Sequence, residues 1–128
     1  MSDIPGELRY TKEHEWIRVD GNEVVVGITD FAQNALTDIV WVEFQSDIGD
    51  SVAELESFAS VESVKSVSEI FAPLAGTLTA VNEVLQDTPE CINSDPYGEG
   101  WIARFELEDA SSIDGLLDAA GYSATIGE

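Results

Sequence analysis

EWIRVDGNEVVVGIT, residues 15 to 29, sets two β-rich runs around Asp20-Gly21-Asn22, and this pairing constrains the fold more than any other feature of the chain. Asp-Gly and Gly-Asn steps accept positive φ in a tight turn, so the two runs predict a hairpin. The same grammar recurs downstream. DIVWVEF at 38 to 44, a run around Leu55 to Val61, the alternation Val67, Glu69, Phe71, and WIARFEL at 101 to 107 are further strand candidates, with Asp47-Ile48-Gly49-Asp50 as a turn between two of them. In WIARFEL the alternation predicts Trp101, Ala103, Phe105 and Leu107 on one face.

Helical spacing appears only briefly. TDFAQNALTD offers Thr29 or Asp30 as N-cap, with Phe31, Ala32, Ala35 and Leu36 on one side. LTAVNEVL holds the pattern of a helical turn, INSDPYGEG reads as an irregular loop, and Ile113, Leu116, Leu117 and Ala120 form an i, i+3, i+4, i+7 stripe after a serine cap, despite the weakening Gly115. No internal repeat or low-complexity segment interrupts the pattern. The expected architecture is mostly β, with short helices and a C-terminal helix, in one domain spanning 1–128.

Composition then narrows the function. The chain carries 26 acidic and 5 basic residues for a net charge of -21, yet 44% of it is hydrophobic, so it folds rather than behaving as an acidic tail. Arg9, Lys12, Arg18, Lys65 and Arg104 are too few to neutralise a phosphate backbone, which argues against nucleic acid and against an anionic membrane surface. The acidity reads as a strongly solvated, self-repelling surface. One cysteine, Cys91, builds no disulfide framework and reads as a small buried hydrophobe; with no signal-peptide pattern, the expected location is cytoplasmic.

Catalytic raw material is scarce. His14 is the only histidine and has no soft ligand nearby, so neither a metal site nor a histidine-based triad is expected, and it reads as a solvated or packed ring. Phosphate-cradling glycine motifs are absent, and nothing singles out an acid–base pair among 26 carboxylates. Lys65 is different. It is the only lysine after Lys12, and it lies in Ser63-Val64-Lys65-Ser66, between two strand candidates. That turn has no glycine, asparagine or proline, although a type I turn accepts serine at its corners. Acidic, exposed flanks at Glu62 and Glu69 disfavour a catalytic lysine with a depressed pKa, whereas an exposed lysine at a tip is open to covalent modification. Trp16, Trp41 and Trp101 read as core or cleft walls.

Five segments carry a resemblance: YTKEHEW at 10 to 16, VGITDFAQ at 26 to 33, VESVKSVSEIFAPLAG at 61 to 76, VNEVL at 81 to 85, and NSDPYGEGW at 93 to 101. From about Leu8 to Tyr122 the chain resembles the H proteins of the glycine cleavage system, a lipoyl-carrier family. The resemblance implies a flattened β-barrel or sandwich of the biotinyl/lipoyl-carrier hairpin type. It implies a non-catalytic carrier whose lipoate is bound as an amide to Lys65, with Glu62 in the flank that a modifying enzyme recognises.

Its implied partners are the P protein, a pyridoxal-phosphate-dependent glycine decarboxylase that loads an aminomethyl group on the arm; the T protein, an aminomethyltransferase; the L protein, dihydrolipoamide dehydrogenase; and a lipoate ligase. Residues matching Glu15 and Glu69 are implied to line a cleft that shelters the arm. Glu69 stands where the family usually has aspartate, and Phe31 where it usually has histidine, which leaves Phe31 a packing role. A biotin carboxyl carrier also presents a hairpin lysine but reads methionine-lysine-methionine, unlike Val64 and Ser66. An unmodified acidic interaction domain is a further alternative, and it predicts that Lys65 is dispensable.

Overall fold

The computed structural model describes residues 3–128. The Asp-Gly-Asn signal gives the expected hairpin: β2 (Glu15–Asp20) and β3 (Glu23–Ile28) pair in register from Glu15↔Ile28 to Asp20↔Glu23, and Gly21 takes φ 66 between them. A two-residue β1 (Arg9–Tyr10) joins the outer edge of β2. Beyond the hairpin, Thr29 caps α1 (Asp30–Leu36) by accepting from the Ala32 N–H, so the cap is Thr29 rather than Asp30. The order continues β4 (Ile39–Phe44), β5 (Ser51–Val52), β6 (Ser57–Ser63), β7 (Val67–Phe71), β8 (Gly76–Val81), α2 (Val84–Asp87), α3 (Cys91–Ser94), β9 (Ala103–Leu107), a 3-10 turn at Ala110–Gly115 and α4 (Ala119–Ile126).

All pairings are antiparallel. One sheet runs β1-β2-β3-β9-β8-β5 and the other β4-β6-β7. Neither closes on itself, so of the two expected shapes the flattened sandwich is the one formed. Between the sheets lie Ile17, Val24, Val26, Leu78 and Phe105 from the first and Val42, Phe58, Val61 and Ile70 from the second. Phe58 and Phe105 meet edge to face at 5.0 Å. The other side of β2–β3 is also buried, because Trp16 and Val25 pack with Leu8, Tyr10 and Tyr122, where Tyr122 of α4 stacks on Tyr10 at 4.8 Å. Both faces are buried at Glu15, Trp16 and Ile17 and from Val24 to Ile28, which explains why these stretches lack strict apolar–polar alternation.

Four expectations are corrected. The stripe Ile113, Leu116, Leu117, Ala120 does not lie on one helix: Leu117 exchanges two backbone hydrogen bonds with Tyr10, of 2.8 and 2.9 Å, which forces an extended link. Asp118 then caps a new helix by accepting from the Gly121 N–H, so α4 begins only at Ala119. A short helix, Cys91–Ser94, takes in the first three residues of INSDPYGEG, and only the remainder is irregular. LTAV belongs to β8, and the helical turn starts at Val84. Cys91 is half-buried against the core rather than fully enclosed.

Candidate functional site

The turn at Lys65 owes its shape to a serine. Ser63 is almost fully buried, its N–H donates to the Ser66 carbonyl at 2.8 Å, and its Oγ accepts from the N–H groups of both Lys65 and Ser66 at 3.1 Å. A side-chain oxygen thus holds the tip together where hairpins more often use glycine, and neither Val64 nor Lys65 takes a positive φ. The Val64 N–H donates to the Asp38 carbonyl at 3.1 Å, which braces the turn against the start of β4. Lys65 itself is exposed, and among the described residues it joins no ion pair. The tip is a rigid mount for a free amine.

Farther along the same hairpin opens a cavity of about 170 Å³. The structure brings Glu15, Phe31 and Glu69 together in its lining. Ile28, Ala32, Leu36 and Val61 supply apolar wall, while Glu13, His14 and Ser68, which sequence reasoning did not place there, complete the polar side. Glu62 is exposed on β6 next to the tip and does not line the cavity.

Glu15 is the buried member of the acidic set, 1% exposed. Its carboxyl accepts from the Thr11 hydroxyl at 2.7 Å and from the Phe71 N–H at 3.4 Å. Burial outweighs these bonds and raises its pKa from the ordinary 4.5 to about 7. A carboxyl that holds its proton more tightly when folded favours folding at low pH, so this contribution is lost as pH climbs from about 4.5 through about 7. We therefore expect Glu15→Gln to gain on the parent by roughly 1–3 kcal/mol between pH 5 and pH 8, as read from urea unfolding at each pH. Parallel stability curves for the two proteins would show that Glu15 is not buried as described.

His14 sits in the left-handed region at φ 72, closing the turn that begins at Thr11. Its Nδ1 is 2.8 Å from the Tyr122 hydroxyl, which in turn lies 2.7 Å from the Thr29 hydroxyl. Burial lowers the His14 pKa and so favours the uncharged ring. Phe31 lies tilted over it, with centroids 5.0 Å apart, and so performs packing where a second imidazole would be polar. The chain β2–His14–Tyr122 ties the C-terminal helix to the cavity wall. Histidine and tyrosine lie 108 residues apart, which is why no local signal announced the link.

Trp16 is fully buried and Trp101 half-buried, in line with the wall reading, but Trp41 is 49% exposed. The register slips between Ile39↔Ser63 and Trp41↔Glu62, leaving Val40 as an extra residue; Val40 and Trp41 therefore both face outward between buried Ile39 and Val42.

The family model described as "Glycine cleavage H-protein" matches residues 8–128. A glycine cleavage system H protein of Herpetosiphon aurantiacus is 55% identical over 128 residues, covering 100% of this chain and 97% of the relative. One of Geobacillus thermodenitrificans is 52% identical over 126 residues, covering 98% of each. The crystal structure of a glycine cleavage system H protein from Mycobacterium marinum superposes with a TM-score of 0.88 at 38% identity, over 98% of this chain and 100% of that one. The chain belongs to the glycine cleavage H-protein family.

Proposed function

We propose that Lys65 is the lipoyl attachment residue of this chain and that the cavity lined by Glu15, Phe31 and Glu69 receives the end of its arm. The family is the lipoyl-carrying shuttle of the glycine cleavage system, a non-catalytic component that works with the P, T and L proteins. We assign residues 1–128 to one such carrier unit and place it in the cytoplasm; among the described residues no helix is long and apolar enough to cross a membrane. A lipoate ligase completes the set of proposed partners.

The single observation that carries the reading is the exposed, unpaired amine on a braced two-residue tip. Reach supports it. Lysine plus an eight-carbon acyl chain extends roughly 15 Å. Glu69, on β7, lies four residues beyond Lys65, at most about 13 Å at the rise of a strand. The donor set also suits the cargo: the apolar wall of Ile28, Phe31, Leu36 and Val61 accommodates hydrocarbon, and Glu15 and Glu69 offer acceptors for a protonated amine. When attached, lipoate supplies a redox-active disulfide whose sulfur carries the aminomethyl unit. The protein positions, screens from water and presents.

The carrier reading is tested with dihydrolipoamide dehydrogenase. Lipoylated protein is expected to drive NADH oxidation in proportion to its concentration, and protein without the acyl group to drive none. Equal rates for the two forms would overturn it.

A further inference from the structure

Among the described residues, four of the eight exposed large hydrophobics, Val40, Trp41, Val64 and Val67, gather at the Lys65 end of the three-stranded sheet. Trp41 pairs with Glu62, and Glu62 pairs with Val67, so the three form one cross-strand row on the outer face. Directly paired side chains stand about 5 Å apart at Cβ, close enough to act as one surface. Val64 adds to it from the turn, whose N–H is bonded to the carbonyl of Asp38 just before β4. Single exposed hydrophobics need no explanation, but a cluster around a modifiable amine does. The bulge at Val40 strengthens the case: it turns a tryptophan toward water where unbroken alternation would have hidden it.

We propose that this patch, anchored by Trp41, is the docking surface for the enzyme that acylates Lys65. The inference rests on the reading of Lys65 given above. Reach selects this occupant over the enzymes that use the finished arm. Those enzymes act at the far end of the arm, roughly 15 Å from the backbone, whereas the amine lies only about 6 Å from its own Cα. An active site working at Nζ must close on the residues beside Lys65. Trp41, Val64 and Val67 are those residues, and a flat aromatic ring gives such a contact area with little entropy to lose.

Charge describes the rest of the partner. Glu62 stands in the middle of the row and Glu43 and Glu69 lie one step along the outer face, so the apolar pocket that takes Trp41 should be rimmed by basic side chains. In the reaction, the neutral Lys65 amine attacks the carboxyl carbon of lipoate activated by ATP as an acyl-AMP. The N–C bond forms, the C–O bond to AMP breaks, AMP leaves, and the amine's proton passes to a base on the enzyme. No electrons are transferred.

The test follows acylation by intact mass, using a lipoate ligase, lipoate and ATP, with the parent protein, Trp41→Glu, Val67→Glu and Trp41→Phe. Both glutamate variants are expected to lose about tenfold or more in kcat/KM for acylation, and Trp41→Phe to keep most of it. Because Trp41 and Val67 are solvent-exposed, thermal unfolding should place all four proteins close together. Acylation of folded Trp41→Glu and Val67→Glu at the parent rate would overturn the docking surface alone. No acyl increment on the parent would overturn the assignment of Lys65 as well.

Discussion

Lys65→Arg is expected to fold like the parent and to support no glycine-dependent CO2 exchange above a control lacking the protein. Arginine preserves charge and length, but its guanidinium stays protonated at any working pH and offers no neutral amine for amide formation. The change is structurally mild. The turn is held by Ser63, through its N–H and Oγ, and not by the lysine side chain, which is exposed and joins no ion pair among the described residues. Stability should move by less than about 0.5 kcal/mol, as is usual for surface positions. Exchange retained at the parent level would mean that the arm is elsewhere or not needed, which is the outcome an unmodified interaction domain predicts.

Trp16→Ala is expected to cost about 3–5 kcal/mol, measured as a shift in the urea midpoint at unchanged slope. Trp16 is 0% exposed, and its indole N–H donates to the Pro96 carbonyl at 2.9 Å. Its cross-strand partner is Gly27, where an added Cβ would fall 2.6 Å from the indole ring, so the two positions form one knob and its socket. Truncation leaves both a cavity and a carbonyl without its donor. Domains have only 5–15 kcal/mol in total, so this variant should be partly unfolded near physiological temperature. The damage also reaches the site, because Glu15 is the adjacent residue on β2 and keeps its place only while that strand is packed from behind. A loss under 1 kcal/mol would show that the second core, around Tyr10 and Tyr122, is not closed by Trp16.

The β character of the chain and the place of Lys65 were legible for physical reasons. Asp20-Gly21-Asn22 encodes its own turn, and Lys65 is one of two lysines in an acidic chain. The tip itself was only faintly marked, because the device that closes it, a buried serine hydroxyl accepting two N–H groups, looks in sequence like any serine.

Non-local contacts hid the rest. The apolar stripe from Ile113 to Ala120 obeys helical spacing, yet Leu117 is held extended by Tyr10, more than a hundred residues upstream. Tertiary pairing overrode local propensity there. Trp41 fits the reading of a wall residue until the bulge at Val40 is known. Among 26 acids, nothing local marks Glu15 as buried; only the closure of β7 and α1 over it makes it so. Its neighbour His14 joined the site through a hydrogen bond to the C-terminal helix, again a long-range event.

The most direct test is the intact mass and peptide map of the protein after incubation with lipoate ligase, lipoate and ATP. The account predicts one lipoyl increment, confined to the peptide holding Lys65. An increment on Lys12, or none on the folded protein, would contradict it.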